Sequence, residues 1–166
     1  MTPDDLAVFR CARLLLLLGL AEHDLPEGLD AERLGIFDFL AGYPLLLARD
    51  AGDPDRTALR LAGFDDRAIG YGGAGPLLAT RQQQLGRDLS ALVSAGLAET
   101  VADGRIRYRL TGDGREAVVG ISAAYARSYT TAAAVVLRRL RRLSGRRLRE
   151  TVRRCLDPVP RSKDAP

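Results

Sequence analysis

The chain has 166 residues, a formal net charge of +4 and a pI of about 9.5, with 46% hydrophobic and 28% charged residues. That length builds about one domain with a core of its own, without staples. Two cysteines at opposite ends, Cys11 and Cys155, and a single histidine, His23, exclude a disulfide scaffold and a Cys/His metal centre. The basic charge is almost all arginine, Lys163 being the one lysine.

A first helix is predicted from Asp4 to Leu20, with Leu6, Phe9, Leu14, Leu17 and Leu18 on a broad apolar face. The run Arg13-Leu-Leu-Leu-Leu-Leu-Gly-Leu20 is too short to span a membrane, and Asp4 and Asp5 stand where a secretion signal carries basic residues. The expectation is a buried helix in a cytoplasmic protein. After a break at His23 to Gly28, Asp30 is a plausible N-cap for a second helix carrying Leu34, Phe37, Leu40 and Ala41. Gly42 ends it and Pro44 opens a short segment to Arg49. Asp53 to Gly63 forms a further short helix.

Gly70 to Pro76 is a glycine-rich loop. No Gly-Lys-Ser/Thr follows it, so it is not a phosphate-binding P-loop. The next helix runs from Leu77 to Ala95, stopped by Gly96. On a wheel, Leu78, Leu85, Leu89, Leu92 and Val93 fall on one side and Gln83, Gln84 and Arg87 on or beside the other. Asp103-Gly104 signals a hairpin with a type I′ turn. Beyond it Ile106, Tyr108 and Leu110 alternate with Arg105, Arg107 and Arg109, which predicts an apolar face on the helices and an arginine face outward.

Thr111 or Asp113 then caps a long helix, predicted from Asp113 to Leu143 and about 45 Å in length. Val118, Tyr125, Tyr129, Ala132, Val136, Leu140 and Leu143 make a narrow stripe along it, resembling a helix-pairing seam. Ser144-Gly145 breaks the helix. A short basic helix follows, with Leu148, Val152 and Leu156 on one side, and Asp157-Pro158 ends it.

The predicted fold class is mainly α: a winged helix-turn-helix with a two-stranded wing and a long C-terminal helix. Residues 1–112 form the winged domain, 113–156 the long helix plus the basic one, and 157–166 a loose tail. In such a fold the helix before the wing enters the major groove of DNA and the wing touches phosphates. The candidate DNA-binding residues are therefore Gln83, Gln84, Arg87, Arg105, Arg107 and Arg109. Asp88, beside Arg87, counts against this assignment. A second candidate surface, for a protein partner, takes Tyr125, Tyr129 and Val136 from the stripe and Arg138, Arg139, Arg142, Arg146 and Arg147 from the arginine run. No Ser-His-Asp, Cys-His or metal constellation can be assembled, so a non-catalytic protein without cofactor or metal is expected.

Four stretches carry a resemblance. They are Arg33-Leu-Gly-Ile-Phe-Asp-Phe-Leu40 with Pro44-Leu-Leu-Leu47; Leu61-Ala-Gly-Phe-Asp-Asp-Arg-Ala-Ile-Gly-Tyr71; Ala79-Thr-Arg-Gln-Gln-Gln-Leu-Gly-Arg-Asp-Leu89 through Leu97; and Ser144-Gly-Arg-Arg-Leu-Arg-Glu-Thr-Val152. In this order they resemble the middle component of the ABC-three-component systems, bacterial conflict operons that overlap the Lamassu type. The resemblance runs from Phe9 to Leu156. It implies an accessory winged-helix subunit in antiphage or antiplasmid defence. That subunit would bind an SMC-like ABC ATPase and a nuclease or other effector; double-stranded DNA is a further candidate partner, from the winged-helix reading, touched either by this chain or only by its partner. The family pattern supplies no catalytic residues to carry over. The alternative is a dimeric winged-helix transcriptional regulator, whose long helix is the dimer seam.

Overall fold

The computed structural model describes residues 6–66 and 73–157. The start of the first predicted helix at Asp4, the first three residues of the glycine-rich loop (70–72) and the predicted tail beyond Asp157 lie outside the described residues. The chain is mainly helical, with one small antiparallel sheet. Its elements are α1 (Ala7–Ala21), β1 (Leu29–Asp30), α2 (Ala31–Gly42), a 3-10 turn (Pro44–Leu46), α3 (Pro54–Leu61), α4 (Ala74–Ser94), β2 (Ala98–Asp103), β3 (Arg105–Leu110), α5 (Gly112–Val119), α6 (Ala124–Leu140) and α7 (Gly145–Leu156).

The central element is α1. Arg13 to Leu18 are buried without interruption, so this helix is enclosed on all sides rather than on one face. It packs on α2, α4, α5 and α6. Local capping is as the residue types dictate. Asp30 accepts a hydrogen bond from the Arg33 amide at 2.8 Å and caps α2, Asp53 caps α3, Thr111 caps α5 and Ser144 caps α7. Gly96, at φ 72°, closes α4 as a helix-ending glycine does. α4 begins three residues earlier than the sequence suggests, because Pro76 sits in its first turn, where the missing amide has no intrahelical partner to lose.

The sheet has strand order β1-β3-β2, with Leu29 opposite Tyr108 and Asp30 opposite Arg107. In the hairpin, Ala98 pairs with Leu110, Thr100 with Tyr108 and Asp103 with Arg105. Gly104 has φ 69°, and among the described residues no non-glycine residue has a positive φ. A type I′ turn needs both central residues there, so the expected turn type is corrected. The hairpin is centred on Gly104 alone, half a residue from the expected centre, which shifts the strand pairing by one residue.

The expected long helix is corrected too. It is two helices, α5 and α6, separated by Gly120 to Ala123. Gly120 turns its amide back onto Glu116 and Ala117, and a fresh start at Ala124 swings α6 into the core. There Tyr129, Ala132, Ala133, Val136 and Leu140 pack against α1 and α2. The two alanines let the helices approach closely. α6, at 17 residues, is about 25 Å long. The C-terminal helices thus share one hydrophobic core with the sheet and α1–α4.

One close approach fixes the join between hairpin and α5. A Cβ placed on Gly114 would stand 2.0 Å from the Leu97 carbonyl oxygen, and that oxygen accepts from the Thr111 amide at 3.1 Å. Gly114→Ala must push backbone against backbone. It is expected to cost roughly 1–3 kcal/mol, read as a lowered midpoint in a urea titration. An unchanged midpoint would mean that the join is looser than described.

Candidate nucleic-acid and partner interface

The outward face of α4 carries Gln83 and Arg87, both exposed, and Gln84, half-buried. None of the three side chains has a hydrogen-bonding or ionic partner among the described residues. Asp88, the acid that weighed against this face, points the other way. It is buried and accepts a two-pronged bond from Arg10 of α1 at 2.7 and 3.0 Å. Its charge is neutralised inside and does not oppose an anion at Arg87.

The two faces of the hairpin separate as the alternation predicts, but only part of the way along. Leu29, Ala98 and Leu110 are buried at the base, Tyr108 is half-buried, and Ile106 near the tip is 61% exposed. On the other face the arginines differ from one another. Arg109 donates to Glu99 at 2.6 Å and Arg105 lies 3.9 Å from Asp30. Arg107 has no acidic partner among the described residues.

The expected partner surface is redistributed. Tyr129 and Val136 are 2% and 0% exposed, so they belong to the core and not to a docking seam. Their stripe is spent on α1 and α2. Arg138 is bound to Asp55, and Arg139 to Asp53 at 2.6 Å and Asp55 at 3.3 Å, clasping α3 to α6. Burial corrects Tyr129 and Val136 as partner contacts, whereas Arg138, though ion-paired, keeps an exposed side chain and Arg139 is half-buried. Among the described residues Arg146 makes only a spaced pair with Glu150 at 3.4 Å, and Arg142 and Arg147 are exposed without acidic partners. Tyr125 is 41% exposed and meets Phe9 edge-on, ring centres 6.4 Å apart.

Two further arginines act as remote helix caps. Arg33 donates to the carbonyls of Arg141 and Leu143 at the end of α6, and Arg49 to those of Cys155 and Asp157 at the end of α7. Orphan carbonyls at a helix C-terminus favour such cations. Cys155 is buried and Cys11 half-buried, and burial pushes both thiols upward, away from reactive thiolates.

Sequence reasoning missed the most buried polar cluster. Arg13 donates to Asp38 at 3.1 and 3.4 Å, and the Tyr129 hydroxyl donates to Asp38 at 2.8 Å. Arg81 of α4 approaches the same carboxylate at 3.7 Å and stacks over Tyr43 at 5.0 Å. Burial, reinforced by the Asp38 charge, raises the Tyr129 phenol well above its usual value. Burial alone would lower the Arg13 guanidinium; Asp38 outweighs it and raises it. The available signal was a charge inside each apolar run, Arg13 before five leucines and Asp38 within Ile36-Phe-Asp-Phe-Leu40. A cleft of about 790 Å³ lies nearby, lined by Tyr43, Pro44, Leu46, Phe64, Pro76 and Leu156, with Arg49 and Arg56 on its wall.

Surface carboxylates are held low by the same arginine economy. Arg149 holds Glu32 below the ordinary carboxylate value, Arg115 does so for Glu22, and Arg139 for Asp53. Stability from these pairs is fully present above the unfolded-state value of about 4 and is lost as pH falls through the lower folded-state values. Glu32→Gln is therefore expected to leave stability at pH 7 slightly reduced and to flatten the acid limb of a stability-versus-pH curve. An unaltered acid limb would refute the assignment.

Comparison with protein-family models, with curated proteins and with solved structures finds no match for this chain.

Proposed function

We propose that this chain is a non-catalytic winged-helix subunit that holds duplex DNA and, as its resemblance implies, is the middle component of an SMC-like ABC ATPase defence complex. In this reading α2 and α4 are the helix pair, α4 is the recognition helix and β2–β3 is the wing. The strand order β1-β3-β2 and the helix directly before the hairpin support it. It departs from the simplest form of the motif, because the 3-10 turn and α3 stand between α2 and α4 where a turn of about three or four residues is usual.

The observation that carries the DNA-binding part is the distribution of unpaired polar groups. Across α4 and β3, Gln83, Gln84, Arg87 and Arg107 are the candidates left without an intramolecular partner among the described residues, while Arg105 and Arg109 are matched by Asp30 and Glu99. A glutamine can pair with adenine and an arginine with guanine or a phosphate. Arg107→Ala is expected to weaken duplex binding on every sequence alike and to lower the slope of log affinity against log salt by about 0.9. Fluorescence anisotropy with labelled duplexes reads this. Absence of any duplex binding at low salt by the folded wild-type chain would overturn it.

The complex itself is tested by a tagged pull-down from the native cell with nuclease added. Stoichiometric recovery of a large SMC-like ATPase supports the accessory-subunit reading. Recovery of the chain alone as a dimer supports the transcriptional regulator instead, although that regulator would then need a seam other than Tyr129 and Val136.

A further inference from the structure

We infer that α7 and the wing form one continuous basic ridge that follows the phosphate backbone of duplex DNA beyond the footprint of α4 and the wing. The inference rests on the DNA-binding reading above and deepens it.

Glu32, at the start of α2, accepts from Arg149 of α7 at 2.6 and 3.1 Å. It is also near enough to Arg105 of the wing for that charge to help hold it ionised. Asp30, its neighbour, lies 3.9 Å from Arg105 and faces Arg107 across the β1–β3 pairing. Two carboxylates therefore sit between two arginine-bearing elements and hold them together. Without them the like charges of β3 and α7 would repel.

The ridge continues along α7. Leu148, Val152 and Cys155 face the core. Arg146, Arg149 and Arg153 fall on one flank by their three- and four-residue spacing, and the Arg149–Glu32 contact identifies that flank as the one beside the wing. Five arginines (105, 107, 146, 149 and 153) face four carboxylates (Asp30, Glu32, Glu150 and Asp103, the cross-strand neighbour of Arg105), so the strip keeps a small net positive charge. The helix is also fixed in place, since Arg49 holds its terminal carbonyls and Arg33 the turn before it.

The occupant is argued from what the face lacks. A protein interface is anchored by aromatic or aliphatic side chains in buried pockets. The exposed residues of α7 are Arg146, Arg147, Arg149, Glu150, Arg153 and Arg154, with no apolar anchor among them. Spaced cations without an anchor suit a polyanion backbone, and the strip is continuous with the wing.

The test uses the full chain carrying Arg146→Ala with Arg153→Ala, both exposed and neither holding α7 in place. Binding is measured on a short duplex that covers only α4 and the wing, and on one about a helical turn longer, roughly ten base pairs. On the longer duplex the variant is expected to lose affinity severalfold and to lower the salt slope by about 1.8, two phosphates' worth. The short duplex is bound as by wild type, and the double lysine variant restores most of the loss. Circular dichroism melting checks that the fold is intact. Equal affinity and slope for variant and wild type on both duplexes, with Arg107→Ala still weakening both, overturns the ridge and leaves the wing reading standing. Loss of a co-purified acidic protein from the alanine variant, with duplex binding unchanged, likewise overturns it and makes α7 a protein site. No duplex binding by wild type removes both proposals together.

Discussion

Asp38→Ala is expected to destabilise the fold by roughly 3–5 kcal/mol, because it leaves a buried guanidinium without its counter-ion. The Arg13 side chain is 1% exposed, too deep for water to replace the lost carboxylate. Asp38 stands on α2 and receives Arg13 from α1, Tyr129 from α6 and the Arg81 charge from α4. One side chain therefore joins four helices, and its loss loosens all of them together. For a chain of this size each kcal/mol moves the melting temperature by about 2–4 °C, so a fall of roughly 10 °C is expected. Tyr129→Phe removes a single hydrogen bond to the charged group and is expected to cost about 1.5–3 kcal/mol. Replacing both ions, Arg13→Met with Asp38→Leu, is expected to cost far less than the sum of the single changes, because neither charge is then stranded. Urea titrations of the four proteins give the coupling. A single Asp38→Ala loss below about 1 kcal/mol would show that the cluster is wetter than its burial indicates.

Local structure was legible where a single residue type decides it. Asp30, Asp53, Thr111 and Ser144 cap their helices through their own side chains, and Gly96 ends α4. The hairpin was legible in place but not in detail. Asp103 keeps an ordinary negative φ, so the turn settles on Gly104 and the pairing follows it. The C-terminal helix was misread because the seven-residue step from Val118 to Tyr125 keeps helical phase across the break. Periodicity alone cannot distinguish one helix from two that share a phase, and Gly120 and Ser122 were the only signs of a stop. The stripe itself was real. A stripe says that a face is covered, not what covers it, and here α1 and α2 cover it.

The candidate sites were legible by residue type and only partly by availability. An arginine run reads as a one-signed surface until its acids are placed in space. Asp53 and Asp55, far from it in sequence, absorb Arg138 and Arg139; Asp24 takes Arg141 and Glu32 takes Arg149. What remains for an outside polyanion is narrower than the composition suggests: Arg87 and Arg107 near the hairpin, Arg142 after α6, and the exposed arginines of α7. The inward turn of Asp88 works in the opposite sense, since it removes an acid from the face of α4 that would carry recognition.

The same distinction between covered and available faces makes Val136→Glu a decisive change. Were α6 a docking seam, this substitution would break a complex and leave the chain folded. Val136 is 0% exposed, packed between α6 and its neighbours, so the carboxylate has nowhere to meet water. It must take up a proton on folding. With an unfolded-state pKa near 4.3, that uptake costs about 4 kcal/mol at pH 7, at 1.36 kcal/mol for each unit. Overpacking adds roughly 1–3 kcal/mol, and the sum approaches the whole stability of an ordinary domain. The variant is expected to be largely unfolded at pH 7. The sign of its pH dependence is fixed by the raised folded-state pKa: the proton penalty grows as pH rises above the unfolded value, through about 4 kcal/mol at pH 7, and fades as pH falls, to about 1 kcal/mol near pH 5. The gap between variant and wild type in urea titrations therefore narrows on acidification, whereas Val8→Glu, at a position 69% exposed, changes stability by no more than about 0.5 kcal/mol at either pH. A Val136→Glu protein that is folded at pH 7, with a gap that does not depend on pH, would mean that α6 lifts from the core and that its stripe is open to a partner after all.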